Sequence, residues 1–368
     1  MAREAQRPFP SINIFIILFF FFFPLSPFSP QAVSASVFKR LQLFSTEKAQ
    51  PTSTSSVLSL SLHPYSSIIK PPNNNYSDLV RSRLASDRAR AKLINSKIER
   101  ALSTFNRPHD VKPDAQVQPE DLETTLTPFG GAYLAQVGVG QPVKEFLLVA
   151  DTGSQINWLQ CLPCDGCSSV SGSVFDPSGS SSYSLLSCAS QECASLGENR
   201  NCTADPCMFR AGYLEGSSVV GEFATETVSF GSSGSVDKVA IGCAHTNQSV
   251  GASGILGLGG TPVSFPSKIQ ATSFSYCLVD MDSGKSSTLE FNSAPPGDSV
   301  LVPLIFNPSG IFYYVELTGI TINGEQVPIP ASAYQIGQDG RGGIVVDSGT
   351  TITLLPDEVY NSVRDTHI

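Results

Sequence analysis

Phe146-Leu147-Leu148-Val149-Ala150-Asp151-Thr152-Gly153-Ser154 carries an apolar run straight into a carboxylate on a tight turn of small, hydroxyl-bearing residues. A second copy, Gly343-Ile344-Val345-Val346-Asp347-Ser348-Gly349-Thr350, lies 196 residues further on. Aligned from Val149 and Val345, VADTGSQINWL and VVDSGTTITLL share five of eleven residues, and two further positions exchange Ser with Thr. Such an internal repeat predicts two similar lobes, each presenting one Asp.

The residue types suit a particular chemistry. An apolar strand end partly desolvates the carboxyl group, and Gly permits a sharp turn with close backbone approach. The hydroxyls of Ser154 and Thr350 can donate to the carboxylate oxygens. If the two turns meet, the carboxyls cannot both ionise, and a pair sharing one proton can serve water as base and a leaving amine as acid. Two other readings compete. Asp and Gly could serve only as strand-turn corners, or Asp347 to Thr351 could be a phosphate-binding turn of a sugar-kinase-like fold. The second leaves the first copy and the cysteines unexplained.

The chain opens with Arg3 and Arg7 before an apolar run from Ile12 to Phe23, followed by Val33-Ser34-Ala35 at cleavage spacing. This is the pattern of a secretory signal, too short for a comfortable membrane span, with an uncleaved anchor as the alternative. Residues 36 to 76 are rich in Ser, Pro and Asn, a composition that predicts an extended or disordered stretch. Over Ser77 to Leu102, Val80, Leu84, Ala91, Ile94, Ile98 and Leu102 recur at near-helical spacing, which predicts a basic helix capped by Ser77 and otherwise solvated. Residues 1–120 carry 15 Lys and Arg against 8 Asp and Glu, while residues 121–368 carry 8 against 24. A basic leader beside an acidic body predicts a removable pro-segment held by charge, released when acid neutralises the carboxylates. So acidic a body is a poor partner for nucleic acid.

From Tyr133 the chain reads as β. Tyr133, Ala135, Val137 and Val139 alternate toward one face, and Gly138, Gly140 and Pro142 mark a hairpin bend. Short apolar or alternating runs continue at Val219 to Phe230, Val236 to Ile241 and Phe312 to Ile322; Pro262 to Ile269 and Pro356 to Arg364 read as helical. Nine cysteines stand at 161, 164, 167, 188, 193, 202, 207, 243 and 277. Cys161-x-x-Cys164-x-x-Cys167 alone could bind zinc or begin an iron–sulfur site. Behind a secretory signal, disulfides are the expectation, and the odd total leaves one thiol over. Asn75, Asn201 and Asn247 each open an Asn-x-Ser/Thr acceptor for glycosylation.

Assembled, these residues resemble the pepsin-like aspartic endopeptidases, in the nepenthesin-like branch of plants. The resemblance rests on LLVADTGSQINWLQCLPCDGC, FDPSGSSSYSLLSCASQEC, GILGLGGTPVSF with FSYCL, FYYVELTGITING and GGIVVDSGTTITLLP, spanning about Tyr133 to Tyr360. It implies a mainly β, bilobal fold with an inter-lobe cleft. Asp151 and Asp347 match the catalytic pair, supported by Thr152, Gly153, Ser154, Ser348, Gly349 and Thr350. Tyr213 matches the flap tyrosine and Trp158 the indole that hydrogen-bonds it. Disulfides Cys161–Cys164, Cys167–Cys243, Cys188–Cys207 and Cys193–Cys202 are implied, with Cys277 unpaired because its partner belongs to a tail absent here.

The chain also departs from the pattern. Tyr213-Leu214-Glu215-Gly216-Ser217 replaces the usual Tyr-Gly-Asp-Gly-Ser, and Gln155 stands where Asp is common. Only 21 residues follow Asp347, and 301–368 are few for an independent core. The expected organisation is therefore a signal peptide over 1–35, a pro-segment over 36–120, an N-terminal lobe over 121–300 and an incomplete C-terminal lobe over 301–368. The expected product is a monomeric, acid-active secreted endopeptidase of the cell-wall space or vacuole. It would act on proteins, be held by its own pro-segment, and use neither cofactor nor metal. The alternative is a non-catalytic binding or inhibitor protein on the same scaffold.

Overall fold

The computed structural model describes residues 13–16, 41–44, 56–69, 76–105, 131–167, 174–212, 218–247, 252–305, 307, 310–330, 333–337 and 340–367. Most of the body is antiparallel β. Tyr133–Val139 and Lys144–Asp151 form a hairpin in register from Leu134↔Val149 to Val139↔Lys144, turning at Gly140, whose φ of 92° favours glycine. The expected alternation on Tyr133–Val139 is overridden, because Leu134 on the opposite face is as buried as Ala135. The strand is central, and both its faces carry core.

The Asp151 strand is held on both edges. Gly254–Gly257 runs parallel to it, with Gly257 opposite Asp151, and the N–H of Leu258 donates to Asp151 O at 2.8 Å. Beyond it the sheet continues through Trp158–Asp165, Ser235–Asn247 and Ser218–Ser229. Phe146, Leu148, Ala150, Leu256, Phe265, Phe274 and Phe291 build the core beneath.

The second lobe is smaller among the described residues. Ile344–Val346 pairs antiparallel with Tyr313–Val315. Ile320–Ile322 and Glu325–Val327 close a hairpin over Asn323 and Gly324, both at positive φ (51° and 89°), as a two-residue primed turn demands. Helices at Phe265–Lys268 and Asp357–His367 fall where the two body helices were expected.

Two parts of the leader differ from the sequence reading. Leu58–Pro64 is a strand inserted between Tyr133–Val139 and Ser287–Phe291, pairing antiparallel with both. Leu58, Leu60 and Leu62 enter the core, so a segment expected to bury little is tied into it. Further along the sheet, Asn13–Ile16 from the expected signal runs parallel to Ser273–Tyr276 and antiparallel to Leu41–Phe44.

The long helix Tyr76–Phe105 covers the predicted 77–102. Its deeply buried side chains are Arg83, Ser86, Asp87, Arg90 and Leu102, so a polar stripe turns inward rather than to solvent. No helix among the described residues is long and apolar enough to cross a membrane.

Candidate active site

The two Asp turns meet. Asp151 is fully buried at the end of its strand, and its carboxylate accepts from the Ser154 hydroxyl and, at 2.9 Å, from the Gly153 N–H. Asp347 repeats this arrangement with the Thr350 hydroxyl at 2.5 Å and the Gly349 N–H at 3.1 Å. The turns are stitched reciprocally. The Thr152 N–H donates to Ser348 Oγ at 3.0 Å, and the Ser348 N–H donates to Thr152 Oγ1 at 2.8 Å. The same hydroxyls donate back, Ser348 to Ala150 O at 2.9 Å and Thr152 to Val346 O at 3.4 Å. Four buried polar groups thus satisfy one another across a pseudo-two-fold axis.

The glycines make room for this. A Cβ on Gly153 would lie 2.8 Å from Asp347 Oδ1, and one on Gly349 would lie 2.6 Å from Asp151 Oδ1. Each turn therefore leaves space that the other lobe's carboxylate and the Arg90 guanidinium share.

Between the carboxylates sits Arg90 of the long helix. Its Nη2 donates to Asp151 Oδ1 at 2.5 Å and to Asp347 Oδ1 at 2.8 Å, and its Nε donates to Asp347 Oδ2 at 2.5 Å. One nitrogen bonded to both groups places them within reach of a single small molecule. Burial disfavours the Arg90 cation, but the two carboxylates outweigh that and hold it charged. Burial likewise works against ionised Asp347, yet the guanidinium, Thr350 and Gly349 bring its carboxyl below the usual range.

Two family models match the chain, described as xylanase inhibitor N-terminal over residues 133–292 and xylanase inhibitor C-terminal over residues 312–367. Aspartic proteinase nepenthesin-2 of Nepenthes gracilis is 40% identical over 66% of this chain and 56% of its own length. Aspartyl protease family protein 2 of Arabidopsis thaliana is 38% identical over 80% of this chain and 62% of its own, and nepenthesin-1 is 36% identical over 68% and 59%. This chain belongs to the pepsin-like aspartic protease family. It spans 56–62% of the length of these nepenthesin-like relatives. The solved structure titled "Crystal structure of edgp" superposes with a TM-score of 0.51 at 17% identity, over 86% of this chain and 70% of its own, and shares the fold.

Residues beyond the two Asp turns also shape this candidate site. Asp87, one turn before Arg90, is 2% exposed and accepts from the N–H groups of Thr351 at 3.1 Å and Ile352 at 2.7 Å. Its burial pushes the carboxyl up to about 6, against the pull of those N–H groups and Arg90. Gln155 bridges the lobes by donating to Ile311 O at 2.7 Å and accepting from the Thr261 N–H at 3.3 Å. Neither Asp87 nor Arg90 lies in a motif, whereas Gln155 follows the first Asp turn directly. Arg83, Arg90 and Lys97 do recur every seven residues, a charged stripe on the helix that no apolar periodicity marks.

Trp158 is fully buried in its strand, and Tyr213 lies outside the described residues. Asn75 also lies outside them, while Asn201 is exposed. The cysteine pairing requires correction. The structure joins Cys161–Cys243, Cys164–Cys167, Cys188–Cys202 and Cys193–Cys207 rather than the implied partners, with Cys277 free. Cys161 belongs to Trp158–Asp165, which runs parallel to the Cys243 strand with Leu159 opposite Cys243; Cys164 and Cys167 are three residues apart and bridge locally. Cys193 and Cys207 are both fully buried, whereas Cys188 and Cys202 lie nearer solvent. The four sulfurs crowd together, with Cys193 Sγ only 3.4 Å from Cys202 Sγ, so sequence spacing could not choose among them. Among the described residues, the two clusters of candidate metal-ligand atoms, Cys188/Cys193/Cys202 and Glu222/Cys243/His245, contain sulfurs already engaged in these bridges.

Proposed function

We propose that the chain is the precursor of a secreted, acid-active aspartic endopeptidase in which Asp151 and Asp347 activate one water against a peptide carbonyl. The observation that carries this reading is the single Arg90 nitrogen hydrogen-bonded to both carboxylates, since a water in its place would touch the same two oxygens. With one proton shared between the carboxyls, the ionised group takes a proton from water as its oxygen attacks the carbonyl carbon. The protonated group gives its proton to the carbonyl oxygen, and the resulting gem-diol collapses as the amine leaves protonated. Ser154 and Thr350 hold the carboxylates in position, and the Thr152–Ser348 contacts hold the turns together.

The helix Tyr76–Phe105 lies where substrate must enter, so we assign residues 36–120 as an inhibitory pro-segment with Arg90 as its plug. Signal cleavage near residue 35, maturation in the cell-wall space or vacuole, glycosylation at Asn201 and a monomeric product complete the proposal. A purely binding role gives the paired hydroxyl–carboxylate contacts nothing to do.

Digestion of casein near pH 3–4 after leader removal, with and without pepstatin, tests the reading. Asp151→Asn and Asp347→Asn should each abolish cleavage, a fall of at least about 10³-fold. Cleavage retained in both variants would remove the pair from the reaction.

A further inference from the structure

The closed cleft contains more acid than base. Asp87, Asp151 and Asp347 are all buried around one guanidinium, that of Arg90, with Lys97 two turns along the same helix. The Asp151 and Asp347 carboxylates both contact Arg90 directly. Among the described residues Asp87 accepts from the N–H groups of Thr351 and Ile352 on the facing segment, with Arg90 on its own helix and the Asp347 carboxylate facing it from the turn. Burying a third carboxylate beside a cation already paired with two others is cheapest when that carboxyl carries a proton.

We propose that Asp87 is a counter-acting pH brake: it takes up a proton as the helix docks, so mild acidification tightens the plug before stronger acid releases it. The inference rests on the reading of Tyr76–Phe105 as the inhibitory helix. The two acid groups pull in opposite senses. Asp87 is pushed up to about 6 when docked, above its ordinary 3.8, so its contribution favours docking increasingly as pH falls through 6. Asp347 is depressed when docked, so its contribution is present above its ordinary range and is lost as pH falls through and below it. Lys97, depressed by burial though Asp151 draws it the other way, favours release as pH falls and so cannot produce tightening. Between pH 7 and 5 Asp87 alone should strengthen docking about tenfold. Release then waits for Asp347 to protonate, which confines activation to strongly acidic compartments.

Pulse-labelling hydrogen exchange on the full chain, corrected for the intrinsic pH dependence of amide exchange, reads this directly. Protection of residues 76–105 in the unmodified chain should rise about tenfold from pH 7 to 5 and collapse below about pH 4. In Asp87→Ser, which keeps a hydroxyl acceptor, and in Asp87→Ala, the rise should vanish while the collapse remains. A wild-type profile that is level or falls from pH 7 to 5 overturns the brake, as does a rise that persists in the variants. Free exchange of the helix at every pH would instead overturn the inhibitory reading beneath it.

Discussion

At the scale of single residues the site is governed by reciprocity. Ser348 Oγ accepts the Thr152 N–H and donates to Ala150 O, so its loss strands two buried backbone groups at once. Ser348→Ala should therefore lower stability by about 1–3 kcal/mol in chemical denaturation. A conservative Ser348→Thr should recover part of the loss, because the hydroxyl returns. The dyad residues could be read in advance because both chemistry and local structure act within five positions. An apolar strand end, an acid, a glycine and a hydroxyl suffice to build each turn. Arg90 and Asp87 were not legible in that way. Their roles exist only because a separate helix lies across the turns, and nothing within a few residues of either marks the contact.

Elements were legible where one periodicity dominated and illegible where burial obeyed another. The hairpin at Tyr133–Asp151 and the helix at Asp357–His367 follow their patterns closely. The helix Tyr76–Phe105 satisfied its 3.6-residue period but buried the stripe through Arg83, Asp87 and Arg90, because the surface it meets is a polar cleft rather than an apolar core. Leu58–Pro64 shows the reverse error. Serine-rich composition masked the alternation Leu58, Leu60, Leu62, which locks the strand between two partners. That strand should be an energetic anchor of the full chain. Leu60→Ala, at a position 3% exposed, should cost the full-length chain about 2–5 kcal/mol in denaturant unfolding. A surface change such as Ser61→Ala should cost well under about 1 kcal/mol. Equal effects of the two would show that the strand is not part of the cooperative unit.

Across the whole molecule, the opposed charges of leader and body suggested a long-range electrostatic hold. The contacts locate the hold more narrowly. Arg341–Glu99 and Arg100–Glu198, the outer ion pairs of the helix, are more than half exposed on both partners. Pairs of that kind contribute about 0–1 kcal/mol and are screened by salt. The Arg90 pairs are buried at under a tenth exposure on every partner, and a Debye length of about 10 Å at 0.1 M does little to charges already in contact without water between them. Breaking such a buried pair leaves uncompensated charge and costs about 3–5 kcal/mol. Docking of the leader should therefore depend weakly on ionic strength and strongly on one side chain. At pH 6, raising salt from about 0.05 to 0.5 M should change exchange protection of residues 76–105 by less than about fivefold. Arg90→Gln should reduce it by at least about a hundredfold. A large salt effect with a small Arg90→Gln effect would return the hold to the overall charge of the two halves.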